Sequence, residues 1–399
     1  MERERPLAGI RICDFTHVWA GPHAVRLLAD LGADVLKIES ANRLDLSRRL
    51  PPWKHGVVDP DHGGLYHMVN RGKKSVALDL KSADGLAAAR ALIAESDVVV
   101  NNFRPGAMER LGLGYEALRA IKPDIIFAAL SGYGQTGPES GYVAYAGPTY
   151  FVSGLATKTG FPENDTPSLV GGAFCDVVGG SYLAMGIMIA LWHRQQTGEG
   201  QLVDVSMWEA TTALVGEGPL AVQLTGHEPP RRGNTSDRAA PHGMFRCADD
   251  GWLAVSIETD AHFAGLCAAI GRADLAADPQ FADRARRLRH SAALDSAVAD
   301  WCRQVARDEA FLRLQEHGAP AGPALSGAEM LHDRNLTARG FWQTVTDARA
   351  GERSALGSPW RFDGQTIALT GAPALGEHTD AVIGAMLGGR ATTPATLGE

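Results

Sequence analysis

Short apolar runs alternate with segments of helical period along the first part of the chain. Residues 9–15 read as a buried strand, 22–31 as a helix closed by Gly32, and 34–38 (Asp-Val-Leu-Lys-Ile) as the next strand. That is the spacing of a parallel strand–helix–strand unit. Residues 74–79 alternate as a strand, 83–95 read as a helix and 97–100 as a strand. Residues 108–121 read as a helix ending before Pro123, and 124–130 as a strand. The alternation predicts an α/β layer structure with a mostly parallel sheet. Active sites in such sheets gather at the carboxyl ends of strands. The segments after Phe15, Ile38, Asp79, Val100 and Leu130 are therefore expected near the chemistry.

Residues 171–210 stand out. Two glycines, Ala-Phe-Cys-Asp176 and Val-Val-Gly-Gly lead into an apolar run from Ser181 to Trp192. Asp176 occupies the place of a helix N-cap. The run is apolar on all sides, which predicts a buried helix. His193 and Arg194 suit its last turn, Gly198 and Gly200 stop it, and 202–206 reads as a strand. Asp176 has two readings, a plain cap or a covalent nucleophile. Asparagine at that position separates them, because it caps but cannot attack as a carboxylate.

The pattern changes after Glu209. Residues 217–243 hold several Gly and Pro and read as a linker. Residues 243–259 predict a hairpin turning at Asp249-Asp250-Gly251, 260–271 a helix capped by Asp260, and 294–317 a long amphipathic helical stretch. A strand is expected at 341–345. The expected organisation is a large domain over 1–216, a linker over 217–240 and a small α+β domain over 241–322. A return segment over 323–388 completes the large domain, and 389–399 forms a disordered tail.

A chain of 399 residues exceeds what one core usually carries, which agrees with two domains. The net charge of −8 argues against a general nucleic-acid binder. The first residues are charged and show no secretory signal. The longest apolar run, 182–192, is too short to span a bilayer. The five cysteines are scattered and lack a Cys-x-x-Cys pair, which points away from a disulfide framework or zinc site and toward a reducing cytoplasm. Cys175, beside Asp176, reads as a small buried filler.

Gly132-Tyr-Gly134-Gln-Thr-Gly137 matches a dinucleotide fingerprint, but Pro138 to Gly141 follow and no helix opens there for a pyrophosphate. A glycine-rich loop that admits a ligand to the backbone is the better reading. Asn102-Phe103-Arg104-Pro105-Gly106 ends a strand and offers an amide, an aromatic face and a guanidinium able to grip an anion. Arg71, Lys73 and Lys74 form a short basic loop, either solvated or part of an anion site. There is no Gly-x-Ser-x-Gly elbow, P-loop or His-Glu-x-x-His, and the thirteen histidines do not cluster at metal spacing. No metal is expected.

The ordered set of motifs resembles the class III CoA-transferases, whose best-known member is formyl-CoA transferase. The matching segments are Asp14-Phe-Thr-His-Val-Trp-Ala-Gly-Pro22, Leu28 to Glu39, Lys74 to Lys81, Asn102 to Gly106 with Arg110 to Gly114, Ser131 to Pro138, Arg194 to Gln201 and Leu375-Gly-Glu-His-Thr379. The resemblance implies a Rossmann-like large domain with a smaller domain, in a homodimer interlocked like two rings. It implies Asp176 as the catalytic residue. It implies CoA contacts at His17, Val18, Trp19 and Ala20, at Lys73 and Lys74 near the phosphates, and at Asn102, Phe103 and Arg110, with Arg104 beside them and Tyr133 as a wall.

The implied activity moves CoA from an acyl-CoA donor to a carboxylic acid acceptor, with CoA as substrate and no permanently bound cofactor. A dicarboxylic acid such as succinate could meet Arg43, Arg48, Arg49, Lys54 or Arg238. Backbone N–H groups of Gly179-Gly180 or of 132–134 are candidate oxyanion donors. Two departures narrow the class. Residues 231–242 lack the glycine run of formyl-CoA transferase. No His follows the Ser-Gly-Tyr-Gly loop, so a 2-methylacyl-CoA racemase would lack its second base. A non-catalytic acyl-CoA binding protein is the remaining alternative. No nucleic acid or membrane partner is expected.

Overall fold

The computed structural model describes residues 5–164 and 166–386. The first four residues and the tail at 389–399, where charged and disordered ends were expected, lie outside them. The chain forms two compact units. The larger comprises residues up to Ala156, Leu169–Glu228 and residues from Asn335 onward; the smaller comprises Thr157–Ser168 and Pro229–Arg334. The small unit thus recruits a segment that the sequence pattern had assigned to the large one.

The larger unit is built on six strands: β1 Arg11–Asp14, β2 Asp34–Glu39, β3 Lys74–Ala77, β4 Val98–Asn101, β5 Ile126–Ser131 and β6 Leu202–Ser206. Their order is β3-β2-β1-β4-β5-β6 and every pairing is parallel. Side chains alternate across the sheet. Val98 and Val100 enter one apolar layer with Ala24, Leu28, Leu183 and Ile187, while Val99 enters the other with Leu36, Leu92 and Ile93. Chain order reverses between β1 and β4, and a cleft opens at such a switch point.

The helix expected at 108–121 is two helices, Ala107–Arg110 and Tyr115–Ile121. Gly112 at φ +66° breaks the run. Part of the expected linker is a helix, Glu217–Thr225, closed by Gly226 at φ +73°. The return segment pairs Trp342–Asp347 with Gly351–Leu356. The Leu375–Thr379 motif then fastens it to the β3 edge: Gly376 N donates to Ser75 Oγ and Thr379 Oγ1 accepts from Ala77 N, each at 2.9 Å.

In the small unit, His242–Arg246, Trp252–Ser256 and Ala321–Pro323 form an antiparallel sheet. Thr259, not Asp260, caps the following helix, its hydroxyl accepting from His262 N at 3.1 Å. The long amphipathic stretch divides into Ser291–Cys302 and Arg307–Glu316, with extended Ala306 capping the second.

The long helix Phe174–Thr197 corrects two expectations. Ala173 caps it, so Asp176 lies inside the first turn. Its apolar surface is not all buried. Gly179, Gly180, Leu183, Ile187, Ala190 and Leu191 are buried, while Met185, Ile189 and Trp192 are 51%, 57% and 66% exposed. At 24 residues and mean hydropathy 1.7 it is long and apolar enough to cross a membrane by length and composition, although its inner face packs into this unit. Gly198 ends it at φ +77° and Arg194 pairs with Asp97 at 2.8 Å.

Candidate active site

The loops that leave β1 and β4 flank the switch point, and they bond to each other. Asn102 Oδ1 accepts from His17 N at 2.7 Å and its Nδ2 donates to His17 O at 2.8 Å. Phe103 sets its ring edge-on to His17 at 5.4 Å. Val18, next along, has φ +70°, and its N–H donates to Asp45 Oδ1 at 2.9 Å. Trp19 then precedes the first turn of the helix Ala20–Asp30. Four expected residues, His17 to Ala20, thus form one turn at the carboxyl edge of the sheet, and Asn102 and Phe103 join it.

The long helix that carries Asp176 packs against the helix that this turn opens. Gly180 stands one helical turn after Asp176, on the same face. A Cβ on Gly180 would lie 2.4 Å from Ala20 O, so the two helices touch backbone to backbone there. A Cβ on Gly179 would meet Met207 Cγ at 2.9 Å. The glycines therefore serve close packing. They lie beyond the first four residues of the helix, so their N–H groups serve the helix ladder and are unavailable as oxyanion donors. The Asp176 carboxylate has no hydrogen-bond or ion-pair partner among the described residues. Burial pushes its carboxyl up to about 6. Cys175 is buried, as a filler would be, and burial pushes its thiol up.

Tyr133 follows β5 and stacks edge-on with Trp208 at 5.6 Å and Tyr142 at 6.0 Å. Gly132 O accepts from Trp208 N at 3.0 Å, which ties this wall to the helix Met207–Thr212. Arg104 and Arg110 are exposed and lack ion-pair partners among the described residues. Arg110 folds back over its own loop, with Nη1 3.0 Å from where a Gly106 Cβ would be.

The two lysines do not join this group. Lys73 is buried, and its ammonium donates to Asp14 Oδ2, Asn70 Oδ1 and Pro22 O at 2.8, 2.9 and 3.2 Å. All three donors are consumed, so none remains for a phosphate. Lys74 opens β3 and therefore lies at the amino edge of the sheet, where it pairs with Asp34 at 2.6 Å. Of the basic residues offered for a second carboxylate, Arg48 is spent on Glu39 and Asp61 at 2.8 and 2.6 Å. Lys54 donates to Ala350 O and Glu352 O. Arg43 and Arg49 remain exposed; Arg238 belongs to the small unit.

Sequence reasoning missed Asp45 and Lys37. They form a wholly buried pair at 3.0 Å beneath the turn. Burial pushes the Asp45 carboxyl up, but Lys37, His17 and the Ser47 and Val18 N–H groups outweigh it and hold it well below the usual range. The isolated acid in Leu44-Asp45-Leu46 carries no periodic or motif signal that could have flagged it.

The sequence profile described as CoA-transferase family III matches residues 7–379. The chain belongs to CoA-transferase family III. It is similar to the succinyl-CoA–L-malate CoA-transferase alpha subunit of Chloroflexus aurantiacus, at 37% identity over 88% of this chain and 81% of that one. It is also 34% identical to a formyl-CoA:oxalate CoA-transferase of Streptomyces coelicolor over 96% of each chain. Among solved structures it resembles a CAIB/BAIF family protein from Brucella suis with a TM-score of 0.86, 30% identity, and 96% and 100% of the two chains covered. This family III chain is an enzyme of the CoA-transferase type, and CoA thioesters are the substrates of that class.

Proposed function

We propose that this enzyme carries CoA from an acyl-CoA thioester to a free carboxylic acid through Asp176. The observation that carries the reading is a carboxylate without a partner among the described residues, raised by burial, one turn from the contact with Ala20. A carboxylate left unpaired and partly desolvated is a better nucleophile than a capped one.

Asp176 attacks the thioester carbonyl, the C–S bond breaks, and an acyl-aspartyl anhydride and CoA thiolate result. The thiolate then attacks the aspartyl carbonyl, releases the donor as its carboxylate and leaves an aspartyl-CoA thioester. The acceptor carboxylate attacks that thioester and forms a second anhydride, again freeing the thiolate. Thiolate attack on the acceptor acyl carbon yields the new acyl-CoA and restores Asp176. No net proton is exchanged. The His17–Ala20 turn, Asn102, Phe103, Arg104 and Arg110 hold the CoA, and Tyr133 walls the acyl group. Remote binding of the nucleotide keeps the thiolate from leaving between steps.

A dicarboxylic acid such as succinate is the favoured partner; several relatives bear succinyl-CoA or succinate in their names. A homodimer is supported by the exposed apolar face of Phe174–Thr197, and a reducing cytoplasm by five free cysteines. The test incubates purified protein with labelled CoA, a panel of acyl-CoAs and free acids, and seeks an acyl or CoA adduct on Asp176 by mass spectrometry. Exchange without any adduct on that residue, or no exchange at all, sinks the reading.

A further inference from the structure

Three consecutive backbone positions at the candidate site are each held by a side chain from another segment, two of them, Lys37 and Asp45, buried. Lys37 Nζ donates to Thr16 O at 2.7 Å. Asn102 brackets His17. Asp45 Oδ1 accepts from Val18 N and from Ser47 N, both at 2.9 Å, while its Oδ2 takes Lys37 Nζ at 3.0 Å. The residue gripped by Asp45 is the strained one. Val18 is β-branched and has φ +70°, a conformation that such side chains avoid and that persists only when its surroundings over-determine it.

A buried ion pair is a poor device for stability alone, because desolvation offsets its attraction. Here the pair spans the bend: one partner fixes the carbonyl before it and the other the N–H within it. Ordinary packing would not select a left-handed valine, since negative φ would relieve the strain. Resting on the reading that residues 17–20 receive CoA, we propose that Asp45, braced by Lys37, is a positioning residue. Its hydrogen bond to Val18 keeps the turn bent and so aims His17 and Trp19 at the thioester.

Asp45→Ala alone leaves Lys37 buried without its ion-pair partner and invites unfolding. The test therefore removes the pair together, as Lys37→Met with Asp45→Ala, and compares this variant with the same variant carrying Val18→Gly. Glycine adopts positive φ at no steric cost and needs no clamp. Folding is checked by circular dichroism and gel filtration. In the folded pair variant KM for acyl-CoA is expected to rise about tenfold, the effect of a lost charge-assisted hydrogen bond, with kcat changed far less. Val18→Gly is expected to recover most of that loss, which a merely stabilising role would not allow. An unchanged KM, or no recovery with glycine, overturns the proposal. Should the parental protein transfer no CoA, the functional reading fails and crystal structures decide the positioning role. Residue 18 leaving φ +70° in the pair variant upholds it, and its staying there overturns it.

Discussion

Asn102 and His17 grip each other twice, amide oxygen to backbone N–H at 2.7 Å and amide nitrogen to backbone carbonyl at 2.8 Å. The side chain that looked like a ligand contact is first a splint between the loops after β1 and β4. Asn102→Ala leaves two part-buried backbone groups without these bonds. It is expected to cost about 1–3 kcal/mol of stability and to raise KM for acyl-CoA. Asn102→Asp keeps the acceptor and loses the donor, so its melting temperature should fall between the two. Denaturant melts beside steady-state kinetics check both.

Asp176→Asn should abolish transfer while leaving the protein at least as stable at neutral pH. A first-turn acid contributes only about 0.3–1 kcal/mol, and the neutral amide escapes the desolvation that pushes Asp176 to about 6. The sign of the pH effect follows. Between the ordinary aspartate value and about 6, the unfolded chain has lost the proton that the folded one retains. Stability therefore falls as pH rises through that window, by less than about 3 kcal/mol, and the asparagine variant should lose that slope. The proposed attack by Asp176 needs the ionised form, so kcat/KM should rise with pH along a limb centred near 6. Melting and rate profiles from pH 4 upward test both statements.

Gly180→Ala would bring a methyl group to 2.4 Å from Ala20 O. A backbone carbonyl cannot step aside as a flexible side chain can. The helix carrying Asp176 must shift, at a cost of about 1–3 kcal/mol, and kcat should drop although the substituted atom touches no substrate. Equal kcat and melting temperature in this variant would contradict the packing described.

Arg104 and Arg110 offer exposed guanidinium groups without a partner among the described residues. Replacing both with Ala should change stability by no more than about 0.5 kcal/mol each but raise KM for acyl-CoA and weaken its dependence on salt. Lys74→Ala serves as the contrast, because that ammonium sits at the opposite edge of the sheet on Asp34. Its KM should match the parent's.

Much of the fold was legible because it is written in short-range patterns. The strands 34–38 and 202–206 reappear with an end residue added to the first, since their apolar spacing depends only on which faces are covered. The hairpin at Asp249-Gly251 likewise follows from turn chemistry. Helix starts were read less well. Asp176 and Asp260 are favoured capping residues by type, whereas Ala173 and Thr259 occupy the caps. Lys73 and Lys74 resembled an anion site because adjacent basic residues look alike in sequence. One points into the core and the other out at the amino edge.

The sequence by itself determined the alternation of strands and helices and the family. These are carried by neighbouring residues or by ordered motifs. Only the tertiary structure decided that Asn102 splints His17, that Asp45 clamps Val18, and that the apolar helix keeps one face uncovered. Those relations join positions 85 and 27 residues apart. They depend on where a parallel sheet reverses its strand order, which no local pattern encodes.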